Sequence, residues 1–366
     1  MPLLSRTPRL RPTPFSRRVE AAGATAYTIY NHMLLPSVFR SIEEDYAHLK
    51  SAVQLWDVSC ERQVELVGPD AGRLLQMTTP RDISAMENDQ CYYIPVVDEY
   101  GAMMNDPVVI RRGAERYWVS LADTDMLFYF KGLARGFGLD VVVFEPDVSP
   151  LAIQGPKADE LAARVFGADV VETKFFRHKT VEVEGREMIV ARSGWSRQGG
   201  FEVFVEGAEF GEPLWDRLME AGQDLDVRAG GPNAVERIEG GLLSYGSDIT
   251  MEHDPFEVGL GKFCHLERAT ACLGHQALLG KTSPRRQIRP VEIEGDALSP
   301  LVERWPLKSD FGQVVGQISS AARSPDFDAN VAIAMVDADY WTPDTHLWAD
   351  TPDGVRGVVV RGNFWI

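Results

Sequence analysis

The amino-acid sequence predicts an α+β protein that ends in a separate all-β segment. Helical and strand-like patterns are mixed over the first 280 residues, whereas short strands separated by turns dominate from about residue 285. A length of 366 residues is enough for two or three domains. A hydrophobic content of 45% supplies a large core and excludes a disordered chain. The predicted domain boundary therefore falls between residues 1–280 and residues 285–366.

The individual elements follow from local patterns. Four prolines in residues 1–18 predict an extended arm. Ser37 is a candidate helix cap, and Val38, Ile42 and Leu49 share one face, which predicts a helix over residues 37–52. Further helices are predicted to begin at Pro69, to follow residues 155–157, and to span 213–221 and 233–243. Strands are predicted at 63–67, 92–97, 107–110, 117–121, 141–144, 151–154, 180–183, 188–191 and 201–205. The strands predicted after residue 285, at 289–293, 314–319, 331–336 and 355–360, indicate a small β-barrel or sandwich.

The charge balance favours small-molecule ligands. Lys and Arg number 37 against 54 Asp and Glu, a formal net charge of −17 that repels nucleic acid and anionic membranes. None of the 4 cysteines forms a C-x-x-C pair. The Arg-rich start lacks an apolar signal region, and no apolar run is long enough to span a membrane. These features predict a cytoplasmic protein. They do not determine its oligomeric state, and a homodimer is one option.

Several common ligand motifs are missing. No G-x-G-x-x-G follows a predicted strand, and the segment from Gly274 to Thr282 has one residue too many between its glycines for a phosphate-binding loop. The spacing of Cys264, His265, Cys272 and His275 matches none of the common zinc arrangements. We therefore predict neither a nucleotide site nor a metal site.

Two clusters carry residues suited to chemistry. In the first, a strand turns at Gly101 and returns to the adjacent polar residues Asn105 and Asp106. Asp106 is either a strand-end cap or a carboxylate that faces a cavity. In the second, Trp195, Glu202 and Phe204 surround a doubled glycine. A carboxylate such as Glu202 can accept two parallel N–H bonds from an amino-heterocycle such as a pterin, whereas core packing is the alternative role for the aromatic residues.

These clusters, with others, resemble the tetrahydrofolate-dependent aminomethyltransferase family, the glycine-cleavage T-proteins. Tyr93, Asp98-Glu-Tyr-Gly and Asn105-Asp106 resemble its Tyr…Asn-Glu-x-Gly-Gly…Asp-Asp block, and Leu151-Ala-Ile-Gln-Gly-Pro-Lys resembles its LALQGPKA segment. The blocks around Glu202, residues 237–248 and residues 254–261 also have counterparts in the same order. Residues 26–36, 53–63 and 193–200 are most similar to the members that demethylate dimethylsulfoniopropionate (DMSP). Two positions differ: those demethylases have Tyr where this chain has Phe204, and Asn where this chain has Ser247.

The resemblance implies a fold and a set of roles. The fold would comprise two interwoven folate-binding subdomains and a C-terminal β-barrel around a central channel. Glu202 would bind the pterin ring, and Asp106, the catalytic residue, would lie near the reacting nitrogen. Tyr93, Asn105 and Tyr245 would complete the folate site. Trp195, Phe204 and Tyr30 would contact the methyl donor.

The implied activity is methyl transfer from DMSP, or a similar onium compound, to N5 of the co-substrate tetrahydrofolate. The leaving group is a neutral thioether, so positioning and desolvation can supply most of the catalysis. An alternative is the same fold acting on another donor, either as a glycine-cleavage aminomethyltransferase or as a betaine or methoxy-group demethylase. A more distant alternative is a non-catalytic folate-binding protein with a regulatory role.

Overall fold

The computed structural model describes residues 7–366, in which helices and strands are mixed as predicted. The helices are α1 Ser16–Ala21, α2 Ile42–Leu49, α3 Ala71–Thr78, α4 Leu127–Gly136, α5 Ala158–Phe166, α6 Gly211–Ala221, α7 Ala234–Glu239 and α8 His275–Leu279. Short 3₁₀ turns occur at Ala168–Glu172, Ala208–Phe210, Gln223–Leu225 and Gly261–Phe263. No helix within these described residues is long and apolar enough to cross a membrane.

The strands make up sheets of different sizes. Those of the first part of the chain are β1 Ala26–Tyr30, β2 Met33–Val38, β3 Val53–Asp57, β4 Gln63–Val67, β5 Cys91–Tyr93, β6 Val96–Val97, β7 Met103–Asn105, β8 Val108–Gly113, β9 Arg116–Ser120 and β10 Val142–Phe144. Those that follow are β11 Val148–Gln154, β12 His178–Val183, β13 Arg186–Ala191, β14 Gly200–Glu206, β15 Val227–Gly230, β16 Arg286–Ile293, β17 Trp305–Lys308, β18 Val314–Ser324, β19 Ala329–Asp337, β20 His346–Thr351 and β21 Gly354–Val360.

The chain forms two compact units, each built from non-contiguous segments. The first unit comprises the described residues up to 72 together with 86–92 and 108–233, and the second comprises 73–85, 93–107 and 234–366. The chain therefore passes between the units several times within the first 280 residues. This division does not test the domain boundary predicted between residues 280 and 285, which stays a prediction.

The first unit is organised around a six-stranded sheet with the order β12-β13-β14-β11-β3-β15. Alternate residues of β11 and β14, such as Leu151, Ile153, Phe201 and Val203, are fully buried in one apolar core together with residues of α5 and α6. The residues between them, including Ala152 and Glu202, face the other side of the sheet because successive side chains alternate. A five-stranded sheet with the order β10-β4-β9-β8-β5 also belongs largely to this unit.

The second unit contains a closed six-stranded barrel with the order β16-β19-β18-β17-β20-β21. Its interior is filled by alternating apolar side chains, among them Val291, Leu307, Ile318 and Val358. From the sequence, either a barrel or a sandwich was predicted, with four of these six strands. The two strands that were not predicted, β17 and β20, complete the closed barrel. Outside the barrel, β6 and β7 form a short hairpin.

Several predicted elements were wrong in their bounds. Ser41, not Ser37, caps α2: its Oγ accepts a hydrogen bond from the Glu44 N–H at 3.0 Å, because residues 33–38 are committed to β2. The extended arm was predicted over residues 1–18, but α1 begins at Ser16; residues 1–6 of the predicted arm lie outside the described residues. The predicted strand 92–97 is divided around Pro95, which has no N–H for a ladder.

Two further differences concern a helix end and missed elements. Helix α7 ends at Glu239 rather than near residue 243, because Gly241 takes a positive φ of 65° and packs against the Phe364 ring, where a Cβ would come within 2.5 Å. Helix α4 and the β1–β2 hairpin were not predicted. In that hairpin, Asn31 and His32 both adopt positive φ, a turn usually signalled by Asn-Gly.

Candidate active site

In the second unit, the predicted turn positions Asp106. The Gly101 N–H donates to the Asp98 carbonyl at 3.1 Å, and Val96 on β6 pairs with Asn105 on β7. Asn105 is fully buried, and Asp106, only 8% exposed, follows it directly. The strand-and-turn arrangement predicted around this polar pair is therefore confirmed.

The Asp106 carboxylate is buried and only partly satisfied. Its Oδ2 accepts a hydrogen bond from the Tyr93 hydroxyl at 2.7 Å, whereas Oδ1 is buried without a hydrogen-bond donor in the described part of the chain. Burial raises the pKa of Asp106 from 3.8 to about 7, the Tyr93 hydrogen bond opposes this rise, and the nearby charge of Asp248 adds to it. The carboxyl group can therefore gain or lose a proton near neutral pH.

Tyr245 belongs to the same group of side chains. Its hydroxyl donates to the Met103 carbonyl at 3.0 Å, and burial together with the charge of Asp106 raises its pKa to about 12. Asp248 holds this loop to the barrel: it accepts from Arg237 Nη1 at 2.8 Å and from the hydroxyls of Ser319 and Ser320 at 2.6 and 2.7 Å. Hydrogen bonds thus join Tyr93 to Asp106 and place Tyr245 against the strand that leads to Asp106.

Sequence reasoning did not find two residues that support Tyr93. Arg81 Nη1 donates to the Tyr93 carbonyl at 2.6 Å, and the Phe263 ring meets the Tyr93 ring edge-on at a centroid distance of 5.7 Å. The guanidinium group of Arg81 lies 4.8 Å from the centroid of the Phe263 ring. The sequence signal at Arg81 is weak. The residue lies in a Thr-Pro-Arg-Asp turn, and no motif of known catalytic spacing includes it.

In the first unit, Glu202 is flanked by small side chains. It pairs across the sheet with Ala152 on β11 and Ala191 on β13, and residues directly opposite each other share a face. Trp56 on β3 pairs with Ala152 and extends the same row. Both alanines leave room beside the carboxylate that larger residues would fill.

The Glu202 carboxylate has one oxygen held and one free of protein donors. Oε2 accepts from the Ser193 hydroxyl at 2.5 Å, and no donor in residues 7–366 reaches Oε1. The side chain is 8% exposed, and burial raises its pKa, while the Ser193 hydrogen bond lowers it. Ser193 therefore both orients Glu202 and favours its charged form.

The loop between Ser193 and Gly200 is held in place by Gln154. The Gln154 amide donates to the Ser193 carbonyl at 3.3 Å, and its Oε1 accepts from the Ser196 hydroxyl at 2.7 Å. A Cβ on Gly194 would come within 2.2 Å of the Gln154 side chain, and one on Gly200 would come within 2.0 Å of the Ile153 carbonyl. Glycine is needed at both positions because the loop lies directly on β11.

The three predicted substrate residues lie in different surroundings. Trp195 is half-buried in the Gln154-anchored loop, and Tyr30 is half-buried at the end of β1. Phe204 is 1% exposed and packs on Trp118 at a ring-centroid distance of 6.0 Å, within an apolar cluster that includes Ile110 and Ile189. Its surroundings are those of a core residue, so its contact with a substrate stays a prediction.

The residues with a superficial resemblance to zinc ligands bind backbone atoms. His275 Nε2 hydrogen bonds to the Leu266 carbonyl at 2.9 Å, and His265 Nδ1 accepts from the Asp82 N–H at 3.1 Å. Burial raises the pKa of Cys264 to about 12 and that of Cys272 to about 11, so both thiols are protonated near neutral pH. These side chains are explained by packing and local hydrogen bonds.

Comparison with protein-family models identifies the class of protein. Residues 15–268 match the GCVT N-terminal domain, and residues 286–365 match the glycine cleavage T-protein C-terminal barrel domain. The chain belongs to the glycine cleavage T-protein family. The family and the α+β fold with a C-terminal barrel, both predicted from the sequence, are confirmed.

Individual relatives narrow the comparison. The chain is 55% identical to the dimethylsulfoniopropionate demethylase DmdA of Ruegeria pomeroyi over 360 residues, which cover 98% of each chain. It is 29% identical to an aminomethyltransferase of Desulfitobacterium hafniense, over 90% of this chain and 91% of the relative. Among solved structures, the glycine cleavage aminomethyltransferase T of Bartonella henselae superposes with a TM-score of 0.88 at 21% identity, covering 98% of both chains. The last similarity concerns the fold.

Proposed function

We propose that this chain is an enzyme that demethylates DMSP with tetrahydrofolate as co-substrate. The methyl group would pass to N5, giving methylmercaptopropionate and 5-methyltetrahydrofolate. The observation that carries the proposal is the 55% identity, over nearly the whole of both chains, to a DMSP demethylase. The aminomethyltransferases are much less similar, at 29% identity or below. The same function was predicted from the sequence.

The two buried carboxylates suit a folate. Glu202 Oε1 and Asp106 Oδ1 each lack a hydrogen-bond donor among residues 7–366. A pterin ring carries several N–H groups, and a carboxylate can accept two of them in parallel. We propose that Glu202 binds the pterin and that Asp106 lies near the reacting nitrogen, with Tyr93, Asn105 and Tyr245 completing the folate site. Asp106 Oδ1 is a buried acceptor without a donor in the described residues, which is costly in the free protein and supports a ligand at this oxygen.

The proposed reaction is an in-line displacement. Tetrahydrofolate supplies N5 as the nucleophile. As the new carbon–nitrogen bond forms, the methyl–sulfur bond breaks and its electron pair stays on sulfur, which leaves as a neutral thioether. No residue has to protonate the leaving group. The ionised Asp106 carboxylate would accept the proton that N5 loses, a role suited to a group with a pKa of about 7.

The sulfonium of DMSP would be bound by aromatic side chains. A cation within about 6 Å of an aromatic face is attracted by the ring quadrupole. We propose that Trp195, Tyr30 and Phe204 contact this substrate. Trp195 and Tyr30 are partly exposed, whereas Phe204 lies in the apolar cluster beside Trp118 and would contact the substrate from that position. The loop that carries Trp195 is held by Gln154, which would keep the indole in place for binding.

Other proposals concern the protein as a whole. We propose that residues 1–280 form the folate-binding region and residues 285–366 a barrel domain. Residues 15–268 and residues 286–365 match two different domain families, which supports a domain boundary between them. We further propose a cytoplasmic enzyme, in agreement with the four free cysteines, and a homodimer, which light scattering of the purified chain would test.

A product assay tests the activity. The protein is incubated with tetrahydrofolate and DMSP, and 5-methyltetrahydrofolate and methylmercaptopropionate are measured; both should appear in equal amounts. Parallel reactions with betaine or a methoxy compound, and with the glycine-cleavage substrates, test the other donors. Tetrahydrofolate binding to a Glu202→Gln variant tests the proposed pterin contact. The matched control is Glu206→Gln, since Glu206 lies on the same strand but forms a salt bridge with Arg112 at 3.0 Å. Folate binding without turnover of any donor would favour the non-catalytic alternative.

A further inference from the structure

We propose that Arg81 is a positioning residue for Asp106, acting through Tyr93 with the support of Phe263. The inference rests on the proposed function only in assigning a catalytic role to Asp106. All four residues belong to the second unit. Neither Arg81 nor Phe263 belongs to the motifs that mark the family in this sequence.

Arg81 holds the main chain of Tyr93. Its Nη1 donates to the Tyr93 carbonyl at 2.6 Å, a charge-assisted hydrogen bond. The hydroxyl at the other end of the Tyr93 side chain donates to Asp106 Oδ2 at 2.7 Å. The tyrosine is therefore held at its backbone by a cation and reaches the carboxylate with its far end, so a displaced backbone would move the hydroxyl.

Phe263 fixes the direction of the tyrosine ring. Its ring meets the Tyr93 ring edge-on, at 5.7 Å between centroids and an interplanar angle of 85°. The Arg81 guanidinium lies 4.8 Å from the centroid of the same Phe263 ring, close enough for a cation–π contact. Arg81 thus contacts both the backbone of Tyr93 and the ring that orients its side chain.

The backbone around Arg81 is itself anchored. The Pro80 carbonyl accepts from the His265 N–H at 2.8 Å, and the Asp82 N–H donates to His265 Nδ1 at 3.1 Å. These bonds fasten the residues on both sides of Arg81 to the segment that follows Phe263. These bonds consequently fix the position of Arg81 relative to Phe263, as its proposed positioning role requires.

The consequence for Asp106 is electrostatic as well as geometric. The charged and titratable groups that act on it are the Tyr93 hydroxyl, Tyr245 and Asp248, and Arg237 pairs with Asp248 at 2.8 Å. Among the side chains, Tyr93 favours the ionised carboxylate through its hydrogen bond, and the Asp106 backbone adds to this effect, whereas burial and Asp248 disfavour the ionised form. Loosening Tyr93 should therefore raise the pKa of Asp106 and leave less carboxylate available near neutral pH.

The test compares Arg81→Met with Lys262→Met. Lys262 Nζ lies 5.1 Å from the centroid of the same Phe263 ring, so its substitution removes a neighbouring cation while keeping the hydrogen bond to Tyr93. The first measurement is the pKa of Asp106 in the ligand-free protein, from the carboxyl infrared band assigned with Asp106→Asn. Arg81→Met should raise this pKa by about half a pH unit or more. Lys262→Met should leave it unchanged.

The second measurement is the pH dependence of single-turnover methyl transfer. In Arg81→Met, the rate at pH 6 should fall about threefold or more relative to wild type, and at pH 9 it should stay within about twofold, because Asp106 is then ionised in both proteins. The KM for tetrahydrofolate should change by less than about twofold. Phe263→Leu should shift the same pKa in the same direction, which provides a second route if Arg81→Met does not fold.

The outcomes separate this inference from the proposed function. A wild-type protein without methyl transfer, combined with a raised Asp106 pKa in Arg81→Met, would reject the proposed activity and keep Arg81 as a positioning residue. An active wild type whose Asp106 pKa and pH profile are the same in Arg81→Met, Phe263→Leu and Lys262→Met would overturn the inference.

Discussion

Replacing Asp106 with asparagine should stabilise the ligand-free protein at alkaline pH while reducing turnover strongly. The pKa of this carboxyl group is raised from 3.8 to about 7, chiefly by burial. Each pKa unit corresponds to about 1.4 kcal/mol, so keeping the buried carboxylate ionised costs the folded state about 4 kcal/mol above pH 7. Asparagine has nearly the same shape and carries no charge, so it removes this cost.

The sign of the pH dependence follows from the raised pKa. The folded-state value lies above the unfolded-state value, so the contribution of Asp106 to stability is fully present below about pH 4 and is lost as the pH rises to about 7. Asparagine must bury an amide where Oδ1 already lacks a partner, which costs about 1–3 kcal/mol at every pH. We therefore expect Asp106→Asn to be about 1–3 kcal/mol more stable than wild type at pH 8 and less stable at pH 4.

Chemical denaturation of both proteins between pH 4 and 8 measures this difference. Subtracting one profile from the other removes the contributions of the other titrating groups, which the two proteins share. A difference in unfolding free energy that does not change with pH would refute the argument, because Asp106 would then have the same pKa in the folded and unfolded states. Asp106→Ala should also remain folded but turn over poorly, and an unfolded Asp106→Ala variant would favour a structural role.

Three further predictions concern ligand binding. Glu202→Gln should weaken tetrahydrofolate binding about tenfold or more, because at most one of two parallel acceptor bonds survives; unchanged calorimetry would remove Glu202 from the site. Ser193→Ala should weaken the same binding by roughly fivefold or more through loss of the 2.5 Å bond to Glu202, whereas Ser299→Ala, which loses an exposed hydroxyl–carboxylate bond to Asp353, should not. Trp195→Leu should raise the KM for DMSP by about twofold to thirtyfold and spare tetrahydrofolate; equal effects on both would contradict a sulfonium contact.

A fourth prediction uses the position at which the DMSP demethylases carry tyrosine. Phe204→Tyr adds a hydroxyl to a fully buried ring next to Trp118, whose indole N–H is buried without an acceptor in the described chain. If DMSP is the natural substrate, kcat/KM for DMSP should stay level or rise slightly. A large rise in DMSP turnover at the expense of another donor would show that the natural substrate differs. Steady-state kinetics with each donor distinguishes these results.

Local sequence patterns were sufficient where a short segment determines its own structure. The alternation of residues 63–67 predicted β4 with the bounds that it has, and the turn at Gly101 correctly predicted a return strand that ends at Asn105, directly before Asp106. The doubled glycine before Phe201 predicted a close backbone approach, and Gly200 does lie against the Ile153 carbonyl. In each case the controlling interactions lie within one hairpin or between neighbouring strands.

Some predictions used only part of the local pattern. Ser37 was predicted to cap the helix, but Glu44 stands three residues after Ser41, the spacing of a capping box, whereas Arg40 stands three residues after Ser37. The structure has Ser41 as the cap, and Ser37 belongs to β2, which pairs with β1. For Phe204, the sequence left both an aromatic substrate pocket and core packing open. The structure adds a contact with Trp118, which is 86 positions earlier in the chain and lies in a different sheet, and the role of Phe204 toward a substrate stays a prediction.

The sequence by itself determined the family, the mixed fold and the carboxylates that carry the proposed chemistry, because residue type and order are written directly in it. Only the tertiary structure decided the surroundings of those carboxylates. Ser193 reaches Glu202 across a glycine loop, and Arg81 reaches Tyr93 from a separate turn. Burial raises the pKa of Asp106 to about 7. The degree of desolvation depends on everything packed around a group, and segments distant in sequence supply most of that packing.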